Sequence, residues 1–354
     1  MKKILLVPGD GIGPEVMAAG VRLIKTLAQK FSIEFVLDEV DWGAERWLKD
    51  GVGIPHGVLE QLPKNYDAIL FGALGDKRIP DMAHGRAILL GLRFGLDLYI
   101  NMRPVKLFNE RLCPLKDDGP SSIDMMIFRE NTEDIYLGLG QVINEGTPDE
   151  IAIDFSRHTF LGIERIIKAA FDFAHRRGRK RVTLVDKSNA IKFGGSLWQR
   201  VFMRVAENYA DIRADHLFVD VAAMEMVRNP ARFDVVVTTN LFGDILSDLG
   251  AGIAGGLGLA PSANINPGVI ALFEPVHGAA PDLVGRNSAN PFAMFLSIAM
   301  MMNFFGYDEI AQVIEQAVKE AIDQNATTTD LGGPLTCTDA THGIINHVTD
   351  SNLY

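Results

Sequence analysis

The feature that most constrains this chain is its alternation of two hydrophobic periods. Short runs rich in β-branched residues, at 3–7, 33–37, 68–71, 125–128, 182–185 and 235–238, predict strands. Between them lie stretches of helical length at 14–29, 162–177, 195–209, 292–304 and 308–324. Strands that alternate with helices bury their faces most simply as a largely parallel sheet covered by helices, so the expected class is α/β. Residues 138–154 show neither period and are expected to form a loop or an irregular arm.

Composition narrows the function. With 354 residues, 47% of them hydrophobic and 22% charged, the chain has ordinary globular composition and room for two domains. Its longest apolar stretch, 292–302, is shorter than the roughly 18 residues of a membrane span. The apolar run at 4–7 is too short for a signal peptide. A net charge of −11 with no basic stripe argues against nucleic acid as a partner. It also means that an anionic substrate must be gripped by a local arginine cluster. The two cysteines, Cys113 and Cys337, have no metal-ligand spacing and imply no disulfide framework, which fits the cytoplasm.

The glycine-rich segment GDGIG at 9–13 resembles a dinucleotide fingerprint, but Pro14 stands where the third glycine belongs. A tight turn feeding a helix, with Pro14 at its first position, is the simpler reading. Other residues have stronger chemistry. Arg93, Arg103 and Arg129 each border an apolar run. A single arginine there is ordinarily salt-bridged, whereas three can grip a dicarboxylate through bidentate forks. Asp244 and Asp248 in NLFGDILSDLG lie four apart, so a helix presents both carboxylates on one face. Two solvated acids would be the plain reading, but apolar neighbours on nearly all sides favour a hard divalent cation. Lys187 directly follows the strand predicted at 182–185, where ligands commonly bind in α/β sheets. Tyr136 in ENTEDIY is a candidate proton donor, and the rigid loop EPVHGAAPD carries Asp282, suited to a ribose diol.

Together these segments resemble the isocitrate and 3-isopropylmalate dehydrogenase family, the metal-dependent β-decarboxylating dehydrogenases. The likeness runs from GDGIGPE through FRENTEDIY and NLFGDILSDL to EPVHGAAPD. It implies a fold of two open α/β domains with a mixed sheet, not a Rossmann fold. The implied large cofactor-binding domain is 1–98 plus 253–354. The implied small domain, 99–252, carries substrate residues and a dimer interface. By the same resemblance Arg93, Arg103 and Arg129 bind the malate carboxylates. Asp244 and Asp248, with Asp220 from a second subunit, hold Mg²⁺ or Mn²⁺. Lys187 of that subunit, relaying through Asp220, takes the hydroxyl proton as hydride passes to NAD, and Tyr136 protonates the enol left after CO₂ departs. Glu274, His277, Gly278, Ala280, Asp282 and Asn290 bind the cofactor. The implied assembly is a homodimer with shared sites.

Asp282 after HGAAP resembles the NAD-using members, since a carboxylate repels the 2′-phosphate of NADP. Substrate choice rests on the segment before Arg93. Leu89 and Leu90 resemble the apolar pocket of isopropylmalate dehydrogenases, worth roughly 0.8 kcal/mol per buried methylene. They also resemble D-malate and tartrate dehydrogenases, while FRENTEDIY and DLYI resemble isocitrate enzymes. Arg86 departs from the glutamate usual in isopropylmalate enzymes. A non-catalytic regulatory subunit of an isocitrate dehydrogenase is a further alternative, though such subunits tend to lose residues that are present here.

Overall fold

The computed structural model describes residues 1–116 and 123–351. The chain divides into two compact units, one comprising Met1–Leu98, Leu107–Pro114 and Ala251–Tyr354, the other Tyr99–Lys106 and Leu115–Gly250.

In the first unit, β1 (Lys2–Gly9) pairs in parallel with β2 (Phe35–Glu39) and β3 (Ala68–Ala73). The strand that joins β3 from the other side comes from far along the sequence: Ile270–Pro275, the last of the chain's twelve strands and hence β12, is also parallel. Antiparallel to it runs β11 (Pro261–Asn266), so the order is β2-β1-β3-β12-β11 and the pairing is mixed. Helix α1 (Gly13–Phe31) starts one residue before Pro14, which places that proline second in the helix. The helix Phe292–Phe304 has the bounds its sequence predicts and is buried nearly all round. Its apolar residues on every side suit an interior helix packed on β11 and β12. It is followed by Asp308–Asp323 and Cys337–Asp350.

The glycine turn joins three loops of this unit. Gly9 aligns with Ala73, so the carboxyl ends of β1 and β3 lie level. Asp10 and Ile12 donate their amides to the carbonyls of Ala73 and Ala279 at 2.7 and 2.9 Å. Gly11 has φ +60°, and a Cβ there would stand 2.0 Å from the Ala279 oxygen. Only glycine fits so close an approach in a left-handed conformation.

In the second unit the order is β4-β5-β10-β8-β9. Strand β5 (Asp124–Glu130) pairs antiparallel with β4 (Ile100–Lys106) and parallel with β10 (Val235–Thr238). Strand β8 (Arg181–Asp186) lies parallel between β10 and β9 (Arg213–Phe218). Two helices, α2 (Phe160–Arg176) and α3 (Lys192–Ala206), pack against each other and on these strands, and each begins two or three residues ahead of its predicted start. Thr159 fixes the first of these starts by accepting the Gly162 amide in its hydroxyl. They are followed by α4 (Val219–Arg228) and α5 (Asn240–Ile253). Residues 138–154, expected as a loop or irregular arm, form an antiparallel ribbon of β6 (Leu139–Ile143) and β7 (Ile151–Phe155). Both of its faces are largely exposed, so no buried side exists to impose the alternation by which a strand is recognised. Among the described residues no helix is long and apolar enough to cross a membrane.

Candidate active site

The parallel register of β5, β10 and β8 brings their carboxyl ends level, with Arg129 opposite Thr238 and Thr238 opposite Val185. Arg129, Lys187 and the start of α5 therefore leave the sheet on one edge, where side chains from successive strands converge. Arg103 opposite Ile127 and Arg129 opposite Asn101 stand two residues apart in register, and so on one face of the β4–β5 pair.

These two arginines meet the acidic face of α5. Arg129 is fully buried; its Nη1 bonds the Asp244 carboxylate, and its Nε donates to Asn240 Oδ1 at 2.9 Å. Arg103 Nη1 donates to Ser247 Oγ at 2.7 Å and lies 3.2 Å from Asp244 and 3.5 Å from Asp248. The repulsion expected between two carboxylates one turn apart is thus offset by two guanidinium groups from the sheet. Burial still pushes the Asp248 carboxyl above its usual range, with Asp244 adding to the effect. Gly243 makes the approach possible: a Cβ there would lie 2.5 Å from Arg129 Cγ. Tyr136 completes the group, donating its phenol proton to Asp244 Oδ2 at 2.9 Å while its ring lies beneath the Arg129 guanidinium.

Lys187 and Asp220 form a second pair in this unit, with Nζ 2.6 Å from Oδ1. The ammonium holds the exposed Asp220 carboxyl below its usual range. Asp220 does not join Asp244 and Asp248: among the described residues no three His, Cys, Asp or Glu side chains of one chain converge as a metal ligand set. Asp244 and Asp248 nonetheless fit a hard cation. They present oxygen donors only, remain 38% and 53% exposed, and carry anionic charge that their arginines share.

Three buried carboxylates frame Tyr136. Glu130 accepts the Thr132 amide and hydroxyl on one oxygen and the Glu133 amide on the other, at 2.8 to 2.9 Å. Its burial pushes it up to about 7. Glu133 accepts from Thr159, and Asp134 accepts the Leu241 amide at 3.0 Å at the start of α5. Asp134 has φ 72°, a left-handed backbone that costs a non-glycine residue about 1–3 kcal/mol and marks functional sites. Sequence reasoning missed Glu130, Asp134 and Asn240, because their partners lie on elements distant in sequence. The unusual density of acids in FRENTED was the available signal.

In the first unit, Arg93 is buried and donates to Glu274 at 3.0 Å. Asn264 donates to the same Glu274 oxygen at 2.8 Å. Glu274, expected to meet the cofactor, is thus occupied in holding Arg93. Arg93 Nε is buried with no protein acceptor, a donor suited to an incoming carboxylate. Arg93 follows a helical stretch whose middle, Arg86–Leu90, is a π turn, a device common at functional sites. Leu89 packs on the hydrophobic core, while Leu90 is half-buried outside that cluster. Arg86 is 64% exposed, 3.8 Å from Asp81.

The loop after β12 carries the remaining predicted residues. Burial lowers the His277 pKa; its Nδ1 donates to the Gly278 carbonyl at 3.1 Å, and its buried Nε2 has no partner. A neutral ring with an orphaned acceptor suits a ligand hydroxyl. Gly278 faces open space and Ala280 is left-handed at φ 40°. Asp282 is exposed beside Lys77 at 3.0 Å, which holds its carboxyl below the usual range. Asn290 is spent structurally, donating to Asp330 at 2.9 Å and accepting the Phe292 amide at 2.9 Å.

The fold and these residues define a dehydrogenase of the decarboxylating class. A family model for isocitrate/isopropylmalate dehydrogenase matches residues 3–347, and the chain belongs to that family. The 3-isopropylmalate dehydrogenase of Thermobifida fusca (strain YX) is 44% identical over 341 residues, covering 94% of this chain and 96% of that one. That of Frankia casuarinae is 44% identical over 326 residues, covering 92% and 93%. Among solved structures, isocitrate dehydrogenase from Methylococcus capsulatus matches with a TM-score of 0.89 at 38% identity over 99% of this chain and 100% of that one.

Proposed function

We propose that this chain is an NAD-dependent, divalent-metal-requiring dehydrogenase that oxidises and decarboxylates 3-isopropylmalate. The observation that carries the reading is the meeting of Arg103, Arg129 and Tyr136 on the Asp244–Asp248 face of α5, in a chain closely similar to 3-isopropylmalate dehydrogenases along nearly its whole length.

In this reading Arg93, Arg103 and Arg129 grip the two malate carboxylates, and Leu90, with Leu89 behind it, meets the isopropyl group. Asp244 and Asp248, with Asp220 of a second copy, would hold Mg²⁺ or Mn²⁺, which supplies Lewis acidity for charge developing on the substrate oxygen. Lys187 takes the proton from the 2-hydroxyl through its contact with Asp220, hydride passes to NAD⁺, and Tyr136 delivers a proton to carbon once CO₂ has left. His277, Gly278, Ala280 and Asp282 would face the cofactor, making the unit built on β1 to β3 the cofactor-binding one. Glu274 and Asn290 support that site from behind.

The working form is a homodimer. The ribbon β6–β7 exposes Leu139, Val142, Ile151 and Phe155, and Phe193 at the start of α3 is 94% exposed. A second copy of the same face would bury this apolar surface and bring in the missing third carboxylate. A cytoplasmic location fits two free thiols.

Arg86 favours a second reading. A largely exposed guanidinium beside Leu90 suits a more anionic acid, so D-malate, tartrate and isocitrate remain the alternatives to test. Incubation with 3-isopropylmalate, NAD⁺ and Mn²⁺ should yield NADH, CO₂ and 4-methyl-2-oxopentanoate in equal amounts. NADH without CO₂, or neither, would refute the decarboxylating role.

A further inference from the structure

Asp134 is committed through both its backbone and its side chain. Its amide donates to the Arg157 carbonyl at 2.9 Å in a left-handed conformation, and its carboxylate is buried. One oxygen accepts the Leu241 amide at 3.0 Å, in the first turn of the helix that bears Asp244 and Asp248. The other accepts the Ser156 hydroxyl.

Behind Ser156 the bonds continue in one direction. His158 Nε2 lies 2.7 Å from Ser156 Oγ, and the Trp198 indole nitrogen lies 3.3 Å from His158 Nδ1. An indole nitrogen only donates and an ionised carboxylate only accepts. His158 therefore accepts at Nδ1 and donates from Nε2, and Ser156 donates to Asp134. The relay from Trp198 ends on a carboxylate at a helix N-terminus, where negative charge is also favoured by the helix dipole.

The same stretch is tied to α5 on either side of Asp134. Asn240 donates to the Glu133 carbonyl at 3.1 Å, and Tyr136 reaches Asp244 at 2.9 Å. Four consecutive residues, 133–136, thus set the distance between a phenol and the acidic face of the helix.

We propose that Asp134, held by Ser156 and His158, is a positioning residue that fixes the Tyr136 phenol against the Asp244 carboxylate for the proton step. This rests on the reading of Tyr136 and Asp244 as site residues. Loss of the Asp134 carboxylate frees the α5 N-terminus and the 134–136 turn. Arg93 and Arg103 keep their own anchors in Glu274 and Ser247, so the effect falls on kcat more than on the KM of the diacid.

The test uses full-length Asp134→Ala, Asp134→Asn and Ser156→Ala, with Tyr136→Phe as reference. Each is assayed with 3-isopropylmalate, NAD⁺ and Mn²⁺ and melted thermally. Asp134→Ala should lose about 100-fold in kcat, the cost of a misplacement near 1 Å, with KM within about threefold. Asp134→Asn keeps an acceptor for Leu241 and tolerates the left-handed backbone, so it should recover at least about tenfold. Ser156→Ala should fall between the two. Wild-type kcat in Asp134→Ala overturns the proposal. If that variant does not fold, wild-type kcat in both Asp134→Asn and Ser156→Ala overturns it instead. Equal loss in Asp134→Ala and Asp134→Asn, with both melting early, overturns it by showing a purely structural role. Wild-type turnover in Tyr136→Phe would instead strike the underlying reading of the site.

Discussion

Tyr136 donates its phenol proton to the Asp244 carboxylate across 2.9 Å, so the proposed proton donor and a proposed metal ligand are in direct contact. Cation binding at Asp244 and Asp248 should therefore depend on those carboxylates and be felt at the phenol. Asp244→Asn is expected to weaken Mn²⁺ binding, followed by electron paramagnetic resonance, at least about tenfold, and to lower kcat further. Unchanged Mn²⁺ affinity would place the cation elsewhere. Chelation of the wild-type enzyme should abolish turnover, and added Mn²⁺ should restore it.

Lys187 sits 2.6 Å from Asp220, with no third carboxylate of its own chain to complete a ligand set. Lys187→Ala should lose at least about 100-fold in kcat with an unchanged melting temperature. If the sites are shared between subunits, mixing Lys187→Ala with Asp244→Asn chains regenerates one intact site per mixed dimer. After random exchange the activity should return to about a quarter of wild type. No recovery on mixing would argue for sites complete within one chain.

Much of the frame is legible in the sequence. The bounds of Val235–Thr238 and Phe292–Phe304 follow from apolar runs whose ends are marked by polar or turn-forming residues. Other elements were hidden for physical reasons. Arg213–Phe218 is a half-buried edge strand with polar residues, and Ile100–Lys106 carries Arg103 and Pro104 inside it. The ribbon at 139–155 has no buried face at all. In the site, Asp244 and Asp248 can be placed on one helix face by counting. Their compensation by Arg103 and Arg129 cannot, because it arises from the register of two strands. The capping of α5 by Asp134 is likewise a tertiary contact.

Glu130 makes stability depend on pH. Its ordinary value is 4.5 and burial pushes it up to about 7. Between those values the folded chain retains a proton that the unfolded chain has released, so stability falls as pH rises. The contribution is fully present below 4.5 and lost above about 7, on the order of 3 kcal/mol. Glu130→Gln does not titrate, so its melting temperature should change less than that of wild type between about pH 5 and 8. An unchanged slope in that variant would contradict this assignment.

Asp282 stands beside Lys77 at 3.0 Å on the exposed loop proposed to meet the ribose. Replacing it with serine removes the charge that repels a 2′-phosphate and frees Lys77 to pair with one. Asp282→Ser should raise kcat/KM for NADP⁺ by about tenfold and lower that for NAD⁺. An unaltered preference would mean that the adenosine ribose is read by other residues.

The most direct test of the central claim is kcat/KM with NAD⁺ and Mn²⁺ for 3-isopropylmalate, D-malate, tartrate and isocitrate, measured side by side on the wild-type enzyme. Burying an isopropyl group of about three carbons against Leu90 predicts that 3-isopropylmalate leads D-malate by at least about tenfold. A preference for isocitrate would shift the weight to Arg86, and failure to reduce NAD⁺ with any of the four acids would contradict the account.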